Sequence, residues 1–220
     1  MSTLITLLGS APNLVPGAAT PWYLAGGLSS GNCVVAYRAK GAASYAASKI
    51  NLNNPGVNDA FEGAAPAWSA ADGWTCSGGQ YLFSVVPSGG WSMLVQFSNL
   101  AANINPVVGM YESGNVRLNI YPYYTDSNVY YRSGGSGQIA DPYGAGNAAV
   151  TPAFGYKNGA PHVAIGGTWN GTATCRLVIG GANASGSINC CSCKIQAFAL
   201  YNITLSDSQV AALAAAMAAL

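Results

Sequence analysis

The sequence predicts an all-β fold, a two-sheet antiparallel sandwich with a short C-terminal α-helix. Three observations predict it. Short runs of strand-forming residues recur at roughly 10–15-residue spacing. Gly, Asn and Pro, the residues that punctuate turns, separate these runs. Helix start signals are combined with a long run of good helix formers only near the C-terminus. The 220 residues suit one such domain, since all-β sandwiches routinely run to about 200–250 residues.

The elements follow in order. Pro12, Pro16, Pro21 and the Gly26-Gly27 pair mark turns, so residues 1–30 are expected to form an irregular arm. No 20–50-residue repeat, charge run or Pro-rich linker divides the rest, so residues 31–220 are expected to be one domain. Val34 to Arg38 reads as the first strand, and Ala46 to Asn54 as another, ending in the turn Asn54-Pro55-Gly56. Gly73 to Cys76 and Gln80 to Val86 flank Gly78-Gly79. Trp91, Met93, Val95 and Phe97 alternate with Ser92, Gln96 and Ser98, a half-buried strand pattern that only Leu94 spoils. Val107 to Glu112 and Asn115 to Tyr124 read as a hairpin around Ser113-Gly114. There Val116, Leu118 and Ile120 share one face, and Arg117, Asn119 and Tyr121 the other. Val129 to Tyr131 ends at the Gly-rich stretch Ser133 to Gly137. Asn158-Gly159 and Asn170-Gly171 both read as hairpin turns, because Asn-Gly accepts two successive positive φ angles. Arg176 to Gly181 and Lys194 to Tyr201 are the last strands. At about 206–219 a helix is expected, with Ser206 as N-cap, Gln209 completing a capping box and Leu205 stapled onto Val210.

Composition narrows the function. Charged residues are 7% of the chain, against roughly 25% in ordinary globular proteins. The eight Lys and Arg are scattered singly, which argues against nucleic acid as a partner, since phosphate tracking needs clustered cations. Seven carboxylates (Asp59, Glu62, Asp72, Glu112, Asp126, Asp141 and Asp207) and one histidine, His162, are a poor stock for hydrolytic chemistry, so no catalytic residue is assigned. The N-terminus lacks the basic start of a secretory signal, and the apolar run Val210 to Leu220 is too short to cross a bilayer. A soluble chain without membrane insertion is expected.

Six cysteines (Cys33, Cys76, Cys175, Cys190, Cys191 and Cys193) permit up to three disulfides or buried free thiols. The cluster Cys190-Cys191-Ser192-Cys193 lacks the second ligand couplet of a structural zinc site, so no metal is assigned to it. Cys190 and Cys191 should face opposite ways on a strand.

The last third carries a resemblance. Tyr156-Lys157-Asn158-Gly159 is followed by Leu177-Val178-Ile179-Gly180-Gly181, then by Ile195 to Asn202 with Ala199-Leu200-Tyr201-Asn202, and then by Leu205 to Val210. This resembles the C-terminal half of concanavalin A-like lectin/glucanase domains of the laminin G-like, or pentraxin-like, type, over residues 155–217 well and 30–220 loosely. Ala65 to Trp68, Gly73-Trp74 and Trp91 to Met93 sit where that family places strands of its first sheet. The resemblance implies a jelly-roll. Glucanase members carry acidic residues at alternate strand positions, a pattern without counterpart here, so an enzyme is not expected. Family calcium sites would have to draw on Asp126, Asn128 and Asp141, a weak case, and no cofactor is assigned.

Aromatic faces and amides suit neutral, amphipathic sugars. The best concentration comprises Tyr121, Tyr123, Tyr124, Asp126, Asn128, Tyr130, Tyr131 and Arg132. The competing reading is that half of these residues pack in the core or cover a sheet edge. Tyr143, Trp169 and Trp22 are secondary candidates, and His162 reads as a surface or hydrogen-bonded strand residue. The sequons at Asn170, Asn183 and Asn202 carry little weight without a signal peptide. Together these features imply a non-enzymatic lectin-like module on the exterior of a larger assembly, such as a virion or filament. Its expected partners are glycans or identical or neighbouring subunits. Such a chain would be made in the cytoplasm and reach the particle surface or the extracellular space by another route. The alternatives are a free carbohydrate-binding or adhesion domain and a glycoside-active enzyme.

Overall fold

A computed structural model describes residues 19–101, 105–112 and 114–220. Pro12, Pro16 and Ser113 lie outside the described residues. A single 3-10 turn, Trp22–Leu24, precedes β1 (Cys33–Arg38) and the one-turn helix α1 (Tyr45–Ser48). Then come β2 (Phe61–Ala64), β3 (Ala67–Ser69), β4 (Gly73–Ser77), β5 (Tyr81–Phe83), β6 (Ser92–Ser98), β7 (Val108–Tyr111) and β8 (Arg117–Tyr121). They are followed by β9 (Val129–Ser133), β10 (Gly135–Ile139), β11 (Gly146–Val150), β12 (Phe154–Lys157) and β13 (Ala160–Ala164). The chain ends with β14 (Val178–Ile179), β15 (Gly181–Ala184), β16 (Ser187–Cys190), β17 (Ser192–Tyr201) and α2 (Asp207–Ala218).

The strands form two sheets. The first runs β13-β12-β11-β6-β17-β4-β3, with β1 also on β17; the second runs β10-β9-β8-β7-β14-β5-β2, with β15 and β16 attached. Pairing is antiparallel except between β15 and β7. This is the expected sandwich with its C-terminal helix. One core lies between the sheets, built from Met93, Val95 and Phe97 of β6, Leu118 and Ile120 of β8, Ile195, Phe198 and Leu200 of β17, and Trp74 and Tyr37. Each such large side chain, fully buried, stabilises the fold by about 1.5–3 kcal/mol.

Leu94 breaks the alternation in β6 because the first sheet is buried on both faces. It joins Ala36, Ala149, Ala197, Ala199 and Tyr201 in a second core beneath α2, where Leu205, Val210, Leu213 and Met217 pack. Small alanines on the sheet make room for the helix. Register shifts between Ile195 and Ala197 in β17, and this bulge changes which positions face the inner core. The capping box on α2 forms as expected, with Ser206 and Gln209 bonding reciprocally. Trp22, Tyr23 and Leu24 pack on the same second core, so the end of the expected arm is docked against it.

Three sequence expectations are corrected. Ala46 to Asn54 is not a strand: Ser44 caps the short helix α1, and the chain then loops around buried Asn51. Asn170-Gly171 is not a hairpin turn, since no strands flank it and Asn170 has no positive φ. Asn158-Gly159 is one, with φ of 51° and 83° between β12 and β13. The Gly-rich stretch after Ser133 is not a strand terminator but β10. A Cβ on Gly135 would lie 1.7 Å from the Gly166 carbonyl oxygen, so glycine lets β10 approach the segment that closes this side of the sandwich.

Candidate functional site

The helix covers the outer face of the first sheet, which leaves the outer face of the second sheet as the place for exposed chemistry. Alternation in β8 and β9 assigns the side chains. Leu118, Ile120, Val129 and Tyr131 are fully buried, while Arg117, Tyr121, Tyr130 and Arg132 are half-buried on the other face. Tyr121 pairs with Tyr130 across the ladder, and Asn119 with Arg132.

The turn after β8 adds Tyr124 to this face. Tyr124 packs edge-on against Tyr121, at 5.6 Å between centroids, and against Tyr130, at 5.3 Å. The Arg132 guanidinium lies 5.0 Å from the Tyr121 ring centre and 5.1 Å from that of Tyr130, a cation–π arrangement that holds the rings and the charge together. Asp126 accepts from the Tyr130 hydroxyl at 2.6 Å and from the Asn128 amide at 3.0 Å. Those two bonds hold its carboxyl below the usual range, and the Asp126 bond raises the Tyr130 phenol. Burial raises the Tyr121 phenol, and Arg132 partly offsets this. Both phenols therefore stay neutral at pH 7, as hydrogen-bond donors and acceptors with flat apolar faces.

Two of the expected residues lie elsewhere. Tyr123 faces a hollow of about 190 Å³ lined by Leu100, Pro142, Tyr143 and Gly144. Tyr131 does not reach the outer face at all; it points inward. Its hydroxyl meets Tyr143 Oη at 2.9 Å and His162 Nδ1 at 3.1 Å. On the far side of the ring, His162 Nε2 lies 3.1 Å from Asp141 Oδ2, which also accepts from Lys157 Nζ at 2.7 Å. A carboxylate can only accept, so the Asp141 contact places a proton on Nε2; in the neutral imidazole Nδ1 is then the acceptor for Tyr131. Burial pushes the phenols of Tyr131 and Tyr143 well above 10. The chain Tyr143–Tyr131–His162–Asp141 joins the two sheets through one continuous set of hydrogen bonds. Sequence reasoning missed it because its members come from β9, β13 and the loop before β11; His162 on a strand was its one visible signal.

Among the described residues, no group of three His, Cys, Asp or Glu is arranged to hold a metal ion. Asp126 and Asp141, the acids considered for calcium, are engaged as above. All six cysteines are free, with Cys191 buried and Cys190 turned toward the surface, as the alternation requires.

No protein-family model matches the sequence, and no curated protein matches it. Solved structures do share its fold. Trypanosoma rangeli sialidase in complex with sialic acid superposes with a TM-score of 0.60 at 15% identity, over 83% of this chain and 32% of the sialidase. Domain 4 of a GH43 extracellular arabinanase from Geobacillus stearothermophilus, in complex with arabinotriose, gives 0.58 at 14% identity, over 83% of this chain and 98% of that domain. A botulinum neurotoxin type C chain, whose cell entry depends on two ganglioside molecules, gives 0.56 at 8% identity, over 86% of this chain and 52% of the toxin chain. The chain thus spans about one third of the sialidase. At these identities the likeness is one of fold, a two-sheet β-sandwich.

One expectation is overturned here. No enzyme is expected from the sequence, with a glycoside-active one kept only as an alternative, but two chains that share this fold belong to glycoside hydrolases, the sialidase and the arabinanase. The fault lies in the carboxylate argument. Most glycosidases need a carboxyl pair, yet sialidases use a tyrosine nucleophile. A shortage of Asp and Glu therefore does not exclude glycoside chemistry.

Proposed function

We propose that this chain is a glycan-contacting β-sandwich of the concanavalin A-like, laminin G-like kind, and that its working surface is the outer face of the second sheet. The observation that carries this reading is the array of Tyr121, Tyr124 and Tyr130 clamped by Arg132. Rings held edge-to-face by one another lose little freedom on binding, and each presents a flat face with a polar tip to a sugar ring. The fold neighbours support the same ligand class, because their structures involve sialic acid, arabinotriose and gangliosides.

We further propose that the domain works on the exterior of a larger assembly. A chain with 7% charged residues and a net charge of +1 has little self-repulsion. The outward positions of α2, among them Ala211, Ala215 and Ala218, add an uncharged strip. A glycan array probed with the full chain tests the first statement, and Tyr130→Ala should abolish the hits. An array without hits overturns it. Electron microscopy of the material as isolated tests the second; isolated monomers at high concentration overturn it.

A further inference from the structure

The seven carboxylates of this chain each have a named contact. Glu62 holds Lys49, Asp72 holds Lys194, and Asp141 holds Lys157 and His162. Asp59 accepts from the amides of Asn51 and Gly56, Glu112 from Thr174 and Cys175, Asp126 from Tyr130 and Asn128, and Asp207 from Tyr156. None reaches an arginine. Two of the arginines nevertheless sit together on the outer face of the second sheet. Arg117 and Asn119 are two apart on β8 and so share a face, and Asn119 is the ladder partner of Arg132. This makes Arg117 and Arg132 diagonal neighbours on one surface.

Their hydrogen bonding is incomplete. Arg117 uses Nε to donate to the Gly134 carbonyl at 2.8 Å. Nε of Arg132 is buried and has no partner. The Arg117 guanidinium is shifted down, first by burial and then by the positive charge of Arg132. Two like charges on one face are a destabilising arrangement that an anion from outside the chain, taken by the outer guanidinium nitrogens, would relieve; the buried Arg132 Nε lies out of its reach. The rings beside them, Tyr121, Tyr124 and Tyr130, are those of the proposed sugar surface.

We infer that Arg117 and Arg132 form an anion subsite for a saccharide bearing a carboxylate, with the acidic sugar's ring lying on Tyr121 and Tyr130. The inference rests on the proposed function and deepens it. A carboxylate is planar and takes two parallel N–H bonds from a guanidinium, so the fork of arginine selects it where a lysine would act only as a point charge. Asp126, at the far end of Tyr130, presents acceptor oxygens suited to the sugar hydroxyls.

The test is titration of the full chain with three ligands: a sialylated or uronate-bearing oligosaccharide, the same compound with its carboxyl reduced to the alcohol, and a sulfated oligosaccharide. The acidic sugar should bind at least about tenfold more tightly than its reduced form, with the preference weakening as salt is raised. Arg117→Gln and Arg132→Gln should each remove the preference, and Arg132→Lys, which keeps the charge but not the fork, should lose most of it. Unchanged circular dichroism confirms that each variant folds. Equal binding of acid and alcohol, a preference that survives both Gln substitutions, or a preference for sulfate over carboxylate would each overturn the inference. If neutral saccharides bind and Tyr130→Ala abolishes that binding, only the acidic specificity fails. If no saccharide of any class binds, the proposed function fails with it.

Discussion

Tyr130 and Tyr131 are consecutive on β9 and point through opposite faces of the sheet. Tyr130 is half-exposed beside Arg132, while Tyr131 is fully buried and bonded to Tyr143 and His162. Their truncations should therefore separate function from stability. Tyr130→Ala should cost less than about 1 kcal/mol in urea denaturation and lose saccharide binding. Tyr131→Phe should keep the outer face intact yet cost about 1–3 kcal/mol, because it leaves the His162 and Tyr143 groups without their partner. Equal destabilisation by the two would contradict this division.

The period-two rule made that division legible in principle: it put Leu118 and Ile120 inside and Arg117 and Tyr121 outside. Asn119, expected on the same face as the latter two, is instead fully buried between them and donates to the Met110 carbonyl. The rule could not see which outer face would remain open. That depended on α2 folding back over the first sheet, visible in sequence only as Leu94 breaking the pattern of β6. The Arg117–Arg132 pair was equally hidden, since two singly scattered arginines meet only through the β8–β9 ladder. Ala46 to Asn54 misled because Asn51, a polar residue in an apolar setting, organises a loop instead of ending a strand.

Acid should weaken the fold through Glu112. Burial pushes its carboxyl up, but bonds from Thr174 and Cys175 outweigh that and hold it at about 2. An unfolded glutamate titrates near pH 4.3 (roughly). The folded form therefore binds its proton less readily than the unfolded form. The stabilisation is fully present above the unfolded value and is lost as pH falls toward the folded one. Urea midpoints should drop between about pH 4.5 and pH 2, and Glu112→Gln should flatten part of that drop. Because Glu62, Asp72, Asp126 and Asp141 are shifted the same way, a residual slope should persist. A variant profile parallel to the parent across this window would show that Glu112 contributes nothing.

The six cysteines should be countable as free thiols. Burial pushes Cys33 up to about 12 and raises Cys76, and contact with Cys191 together with burial raises Cys193. These thiols are protonated and inaccessible at neutral pH, hence unreactive. Brief alkylation of the native protein should label Cys175 and Cys190 at most, the two that are only partly buried. Alkylation after unfolding without reductant should label all six, read by intact mass. A mass short by a pair of labels would reveal a disulfide and refute the free-thiol state.

Asn51 should be the most sensitive polar position in the first sheet's surroundings. Fully buried, it accepts from the amides of Ala36 at 3.0 Å and Asn53 at 3.1 Å through Oδ1. Through Nδ2 it donates to the carbonyls of Val34 at 3.1 Å and Val57 at 2.9 Å. It thereby ties β1 to the loop after α1, and every hydrogen-bonding position of its amide is filled. Asn51→Ala strands these backbone groups away from water and should cost roughly 2–5 kcal/mol by denaturant unfolding. Asn51→Asp keeps the shape but sets a carboxylate against two carbonyl oxygens, which raises that carboxyl's pKa in the folded state. Its deficit relative to the parent should then grow as pH rises above about 4, where the unfolded aspartate ionises, and shrink in acid. A pH-independent deficit for Asn51→Asp would mean that the loop rearranges to admit water, and that Asn51 does not lock it.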